Sequence, residues 1–80
     1  MTFARRDRYA RLLPMRITLN GQPHDLPAPQ TIDALLQSLG IDGRRVAVER
    51  NLTVVRRALY GTEVVDDGDE VEIVNFVGGG

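Results

Sequence analysis

Cysteine, lysine and tryptophan are all missing from the 80 residues, and histidine occurs once, as His24. The lack of cysteine removes disulfide scaffolds, thiolate metal sites and cysteine nucleophiles together. One histidine is too little for a metal centre or a histidine-assisted triad, so the expected metal ligands are none and the expected catalytic residues are none. Apolar runs extend only a few residues, far short of the roughly 20 that cross a bilayer, which argues against a membrane partner. No glycine-rich loop joins a strand to a helix, so any ATP must bind on a partner. Function must rest on something other than a constellation of catalytic side chains.

The composition itself is ordinary, with 42% hydrophobic and 26% charged residues, as in a folded domain rather than a disordered chain. The length allows one domain with a modest core. All ten basic residues are arginines. Residues 1–14 carry Arg5, Arg6, Arg8 and Arg11 against Asp7, a net of +3, whereas residues 15–80 carry a net of −4. An acidic body argues against nucleic acid as the main partner, because phosphate binding needs a basic face. The segment 1–14 reads first as an extended start or disordered leader; a surface arm and a transit-type peptide are the alternatives. It lacks the apolar stretch of a secretory signal. The domain is placed at residues 15–80.

From Met15 onward the pattern is regular. Met15, Ile17 and Leu19 alternate with polar residues, the period of a half-buried strand. Asn20-Gly21 is a strong hairpin signal, since both residues tolerate positive φ. Gln22–Leu26 is the return strand, and Pro23 assigns it to an edge. Ile32, Leu35, Leu36 and Leu39 then fall on one face of a helix, with Thr31 as N-cap, Asp33 in the first turn and Gly40 as the stop. Val46 and Val48 mark a third strand, Asn51 a positive-φ turn, and Thr53–Val55 a short fourth strand. Arg56–Tyr60 form a single helical turn and Asp66-Asp67-Gly68-Asp69 a polar turn. Glu70–Val77 form the last strand, with Val71 and Ile73 facing inward. One helix must cover one face of a mixed sheet. Pairing the first and last strands in parallel at its centre is the economical solution, an α+β fold of the β-grasp, or ubiquitin-like, kind.

The sequence ends in Gly78-Gly79-Gly80. Glycines without Cβ atoms form a flexible tail that can thread a narrow channel and present a carboxylate to another protein. Once adenylated, such a carboxylate is open to attack by a sulfur nucleophile. The alternative is a frayed end. Strand alternation also sends Glu72, Val74 and Phe76 to the face opposite the core, so Val74, Phe76 and Val77 are the expected partner-docking residues.

Asp67-Gly68-Asp69-Glu70-Val71-Glu72-Ile73-Val74, running into Phe76-Val77-Gly78-Gly79-Gly80, resembles the C-terminal signature of the ThiS sulfur carriers of thiamine biosynthesis. Met15-Arg16-Ile17 with Asn20-Gly21, and the helix from Thr31 to Leu36, fit the same pattern over residues 15–80. The sequence departs from it in the extra segment 1–14 and in Arg56, where members often carry proline before an arginine. The resemblance implies that an E1-like adenylyltransferase adenylates the Gly80 carboxylate with ATP. Conversion to a thiocarboxylate follows, with sulfur from a cysteine desulfurase or another sulfur source. Thiazole synthase then receives it. On that reading the protein is a cytoplasmic co-substrate and not an enzyme, with no bound cofactor or metal of its own and ATP used by the activating partner.

Rival readings are a MoaD-type molybdopterin synthase small subunit, a ubiquitin-like modifier, and a β-grasp interaction module with an idle tail. The first tends to carry a Phe-Pro-Pro-like run before its glycines, where this chain has Val74-Asn75-Phe76. The absence of lysine excludes lysine-linked self-chains from the second. His24 reads as a surface residue, and Asp66, Asp67 and Asp69 as turn residues, since a calcium loop needs a different ligand spacing. Arg44-Arg45 and Arg56-Arg57 read as solvated turn arginines, with a small basic patch as the alternative.

Overall fold

A computed structural model describes residues 15–76, so the leader 1–14, Val77 and Gly78 to Gly80 lie outside the described residues. The chain order is β1 (Met15–Leu19), β2 (Gln22–Leu26), β3 (Gln30–Thr31), α1 (Ile32–Ser38), β4 (Val46–Arg50), β5 (Thr53–Val54), β6 (Val64–Val65) and β7 (Glu70–Asn75). Two 3-10 turns, Gly43–Arg45 and Arg57–Leu59, precede β4 and follow β5. Five strands form a mixed sheet in the order β2-β1-β7-β4-β5, and β3 pairs with β6 in a separate two-stranded ladder. β1 and β7 run parallel at the centre, Leu19 beside Val71, while β4 is antiparallel to β7 with Val48 opposite Ile73. This is the β-grasp arrangement, with β2, the strand that carries Pro23, at one edge.

Local chemistry explains each boundary. Asn20 and Gly21 take φ of 49° and 79°, which lets two residues reverse the chain between β1 and β2. The Thr31 hydroxyl accepts from the Ala34 N–H at 3.1 Å and caps α1, and Gly40 at φ 72° ends it. Ile32, Leu35 and Leu36 from the helix meet Ile17, Val46, Val48 and Val71 from the sheet, all buried. Val55, Tyr60 and Val65 close the side of that core.

The structure departs from the sequence reading in several places. The last strand ends at Asn75, opposite Val46 where β4 begins, and past it Phe76 keeps one backbone bond, to Arg45. Val77, the expected last residue of the strand, lies outside the described residues. Val55 leaves the fourth strand to enter the core, keeping only its N–H bonded to the Val48 carbonyl at 2.9 Å. The β3–β6 ladder went unforeseen, since two-residue strands carry no periodicity. Leu52 shares the positive φ expected of Asn51, at 69° and 53°. His24 stands opposite inward-facing Ile17, half-buried on the core side of β2 rather than on the surface.

Candidate functional site

The helix covers one face of the sheet, and the other face contains the residues expected to meet a partner. Val71 is buried and Ile73 packs against the core, so alternation turns Glu72 and Val74 outward. Val74 is 57% exposed and Phe76 54% exposed. In register beside Val74 lies Ala47 of β4, and beside Glu72 lies Glu49, itself opposite exposed Val54 of β5. The face thus combines an apolar row with two glutamates directly across from each other, a pairing that is unfavourable in isolation. Val77, the third expected docking residue, and Gly78, Gly79 and Gly80 lie outside the described residues.

β7 connects two contrasting ends. At its start, Asp69 is nearly buried. One of its carboxylate oxygens accepts from Arg50 Nε at 2.7 Å and from the Asp66 N–H at 2.8 Å; the other accepts from Asn51 Nδ2 at 3.0 Å. Asn51 Oδ1 accepts in turn from the Glu70 N–H at 2.9 Å, and Arg50 also reaches Glu63 at 3.3 Å. Burial alone would push the Asp69 carboxyl up. Hydrogen bonds from Arg50, the Asp66 N–H and Asn51, with the Arg50 charge, outweigh it and hold the group below the ordinary carboxylate range. The sequence reading classed Asp69 as a turn residue and missed this hub. Only the proximity of Arg50-Asn51 across the fold, invisible in local composition, reveals it.

Midway, Asn20 takes over where β1 ends. Its Oδ1 accepts from the Ile73 N–H at 2.7 Å and its Nδ2 donates to the Ile73 carbonyl at 3.2 Å. A side chain therefore supplies the bonds that the next residue of a longer strand would have made.

At the far end, the last described backbone bond runs from the Phe76 N–H to the Arg45 carbonyl at 3.0 Å. Arg57 Nη2 donates to the Arg44 and Val46 carbonyls, each at 3.4 Å, bracing the segment on both sides of Arg45. Asp42 caps this turn, accepting from the Arg44 N–H at 2.9 Å and pairing with the Arg44 guanidinium at 3.1 Å. The Arg44 side chain, then its backbone N–H, hold the Asp42 carboxyl below its ordinary range. Among the described residues no three His, Asp or Glu side chains converge as metal ligands, and no helix is long and apolar enough to cross a membrane.

Known proteins share this arrangement. Residues 17–80 match the model of the ThiS family. The chain is 48% identical over 66 residues, 82% of its length, to a thiazole synthase of Paramagnetospirillum magneticum, and it spans only 20% of that protein. It is 42% identical over 50 residues to the sulfur carrier protein ThiS of Bacillus subtilis, covering 62% of this chain and 76% of that one. Among solved structures, the crystal structure of the thiamine biosynthesis protein ThiS from Geobacter metallireducens superimposes with a TM-score of 0.73 at 35% identity. That match covers 82% of this chain and all of the other.

Proposed function

The chain belongs to the ThiS family, and from that premise we propose that it carries sulfur for the thiazole moiety of thiamine, with the Gly80 carboxylate as the reacting group. An E1-like adenylyltransferase is the first partner. A Gly80 carboxylate oxygen attacks the α-phosphorus of ATP and pyrophosphate leaves. A sulfur nucleophile from a cysteine desulfurase or another sulfur source then attacks the acyl carbon and AMP leaves. Sulfide gives the thiocarboxylate directly, whereas a persulfide gives an acyl disulfide that a thiol reductant cleaves to it. The product is a thiocarboxylate, and thiazole synthase is its acceptor. The protein is a co-substrate throughout, ATP being held by the activating partner, and the cytoplasm is the expected setting.

The observation that carries this reading is the family match over residues 17–80, which takes in the three glycines at 78–80. The acceptor assignment draws support from the 48% identity to a segment of a thiazole synthase. Exposed Val74 on β7 and exposed Phe76 just past its end supply the docking surface, and Val77, which follows in sequence, is assigned to the same role. Exposed apolar clusters of this kind mark protein partners.

Intact mass after incubation with the cell's adenylyltransferase, ATP and a sulfur source tests the chemistry. The expected gain equals the replacement of one oxygen by sulfur, and it disappears when Gly80 is deleted. An unchanged mass with a demonstrably active enzyme would overturn the carrier reading and leave a β-grasp binding module.

A further inference from the structure

The two arginine pairs, separated by ten residues in sequence, meet at one place. Arg57 bonds to the carbonyls of Arg44 and Val46, and the carbonyl between them, of Arg45, holds the Phe76 N–H. Arg44, Arg45 and Arg57 therefore gather where the chain leaves β7 toward its glycines, with Arg56 adjoining Arg57 in the chain at an exposed position. The Arg44 and Arg45 side chains are more than four-fifths exposed, and Asp42 is the one carboxylate pairing with any of the four among the described residues. This positive collar sits on a domain whose residues 15–80 sum to −4, so the charge is polarised toward the end from which the tail departs.

Resting on the carrier reading, we propose that the arginine collar docks on a carboxylate-lined mouth of the activating enzyme and steers the glycine tail into its channel. Reach decides between an acidic protein surface and the phosphates of ATP. Gly80 lies four positions beyond Phe76, and a fully extended chain covers at most about 14 Å over that length. A tail extended into a channel keeps the collar outside, against the protein surface around the opening. Opposite charges there raise the rate of productive encounter, and the effect weakens as salt is added.

The test uses the full chain and its adenylyltransferase, with association followed by stopped flow and activation by pyrophosphate release. Arg45→Gln with Arg56→Gln removes two collar charges; among the described residues neither side chain makes a hydrogen bond and Arg45 has only an exposed 3.9 Å ion pair with Asp42, so the fold is retained. Gln22→Glu with Gln37→Glu lowers net charge equally at exposed positions elsewhere. The collar variant is expected to associate roughly tenfold more slowly at low salt, with a flatter salt dependence and unchanged kcat. The control variant keeps the parent's salt dependence. An equal loss in both variants, a loss in neither, or a rise confined to the KM for ATP overturns the collar. The mass gain of the parent chain is read in parallel. A flat association profile with normal thiocarboxylate formation sinks the collar alone, whereas absence of the gain sinks the carrier reading.

Discussion

The two ends of β7 are built on opposite principles. Where the strand starts, one nearly buried carboxylate gathers bonds from Arg50, Asn51 and the Asp66 backbone, and β1 and β4 flank it on either side. Where it finishes, β1 has already turned away, Asn20 supplies a side-chain substitute for one residue, and a single backbone bond to Arg45 ends the ladder. Charges at the first end pair with each other in a part-buried cluster; at the second, solvent-facing arginines outnumber Asp42, the one carboxylate that pairs with them among the described residues. The difference separates stability from recognition along six residues. Satisfied polar groups fix the strand, and surface left without partners is what another protein can use.

Breaking the first end should have the largest effect on stability. Asp69→Ala strips Arg50 and Asn51 of their shared acceptor and frees the Asp66 N–H. The expected cost is about 2–3 kcal/mol, read as a fall of the order of 10–20 °C in melting temperature. Acid sharpens the point. Because the folded state holds the Asp69 proton more weakly than the unfolded chain does, its contribution is complete above the ordinary carboxylate range near about pH 4. It drains away as pH falls through the depressed folded value. Asp25 and Asp42 are also held low, by Arg16 and Arg44, but these are exposed pairs that salt screens. Urea titrations across the acid range at high salt should therefore lose most of their pH dependence in the variant. A variant with the parent's acid limb would show that Asp69 is not the hub.

The middle of the strand is a milder test. Asn20→Gly keeps a residue suited to φ of 49° but removes both bonds to Ile73, and Asn20→Ala loses the conformational tolerance as well. Since these bonds are open to water, the glycine variant should lose about 1 kcal/mol and the alanine variant about 1 kcal/mol more, measured by urea unfolding. Equal losses would mean that the turn conformation contributes nothing.

Most of the fold was legible because local rules and global topology agree in it. Asn20-Gly21, the Thr31 cap and the i, i+3, i+4 spacing of Ile32, Leu35 and Leu36 each fix an element without help from distant residues. The exposure of Val74 and Phe76 followed from alternation alone, once Val71 and Ile73 were set inward. The parallel pairing of β1 with β7 was legible too, from the need to cover one sheet with one helix, but the side-chain contacts between distant segments escaped. Asp69 sits in a run of turn residues and becomes a buried hub only through Arg50 and Asn51, 19 and 18 positions away. The arginine pairs each look like solvated turns until Arg57 is seen to brace the residues around Arg45. The separate ladder of Gln30–Thr31 with Val64–Val65 was hidden for the same reason, since neither partner has a pattern of its own.

The smallest effect on stability should come from the open end, and there the comparison is sharpest. Phe76 is 54% exposed, and its one described backbone bond, to Arg45, does not involve its side chain. Phe76→Asp should therefore shift the unfolding midpoint by less than about 0.5 kcal/mol, the usual range for an exposed position. Recognition should respond differently. An exposed aromatic beside Val74 is the kind of side chain that a partner buries, and replacing it with a carboxylate both removes that contact and sets a charge against the surface proposed to be acidic. The adenylyltransferase should show a KM for this variant raised by about tenfold or more at unchanged kcat. A variant that folds like the parent and is activated like the parent would move the docking surface off this strand, and a variant that unfolds would show that Phe76 belongs to the structural end of β7 after all.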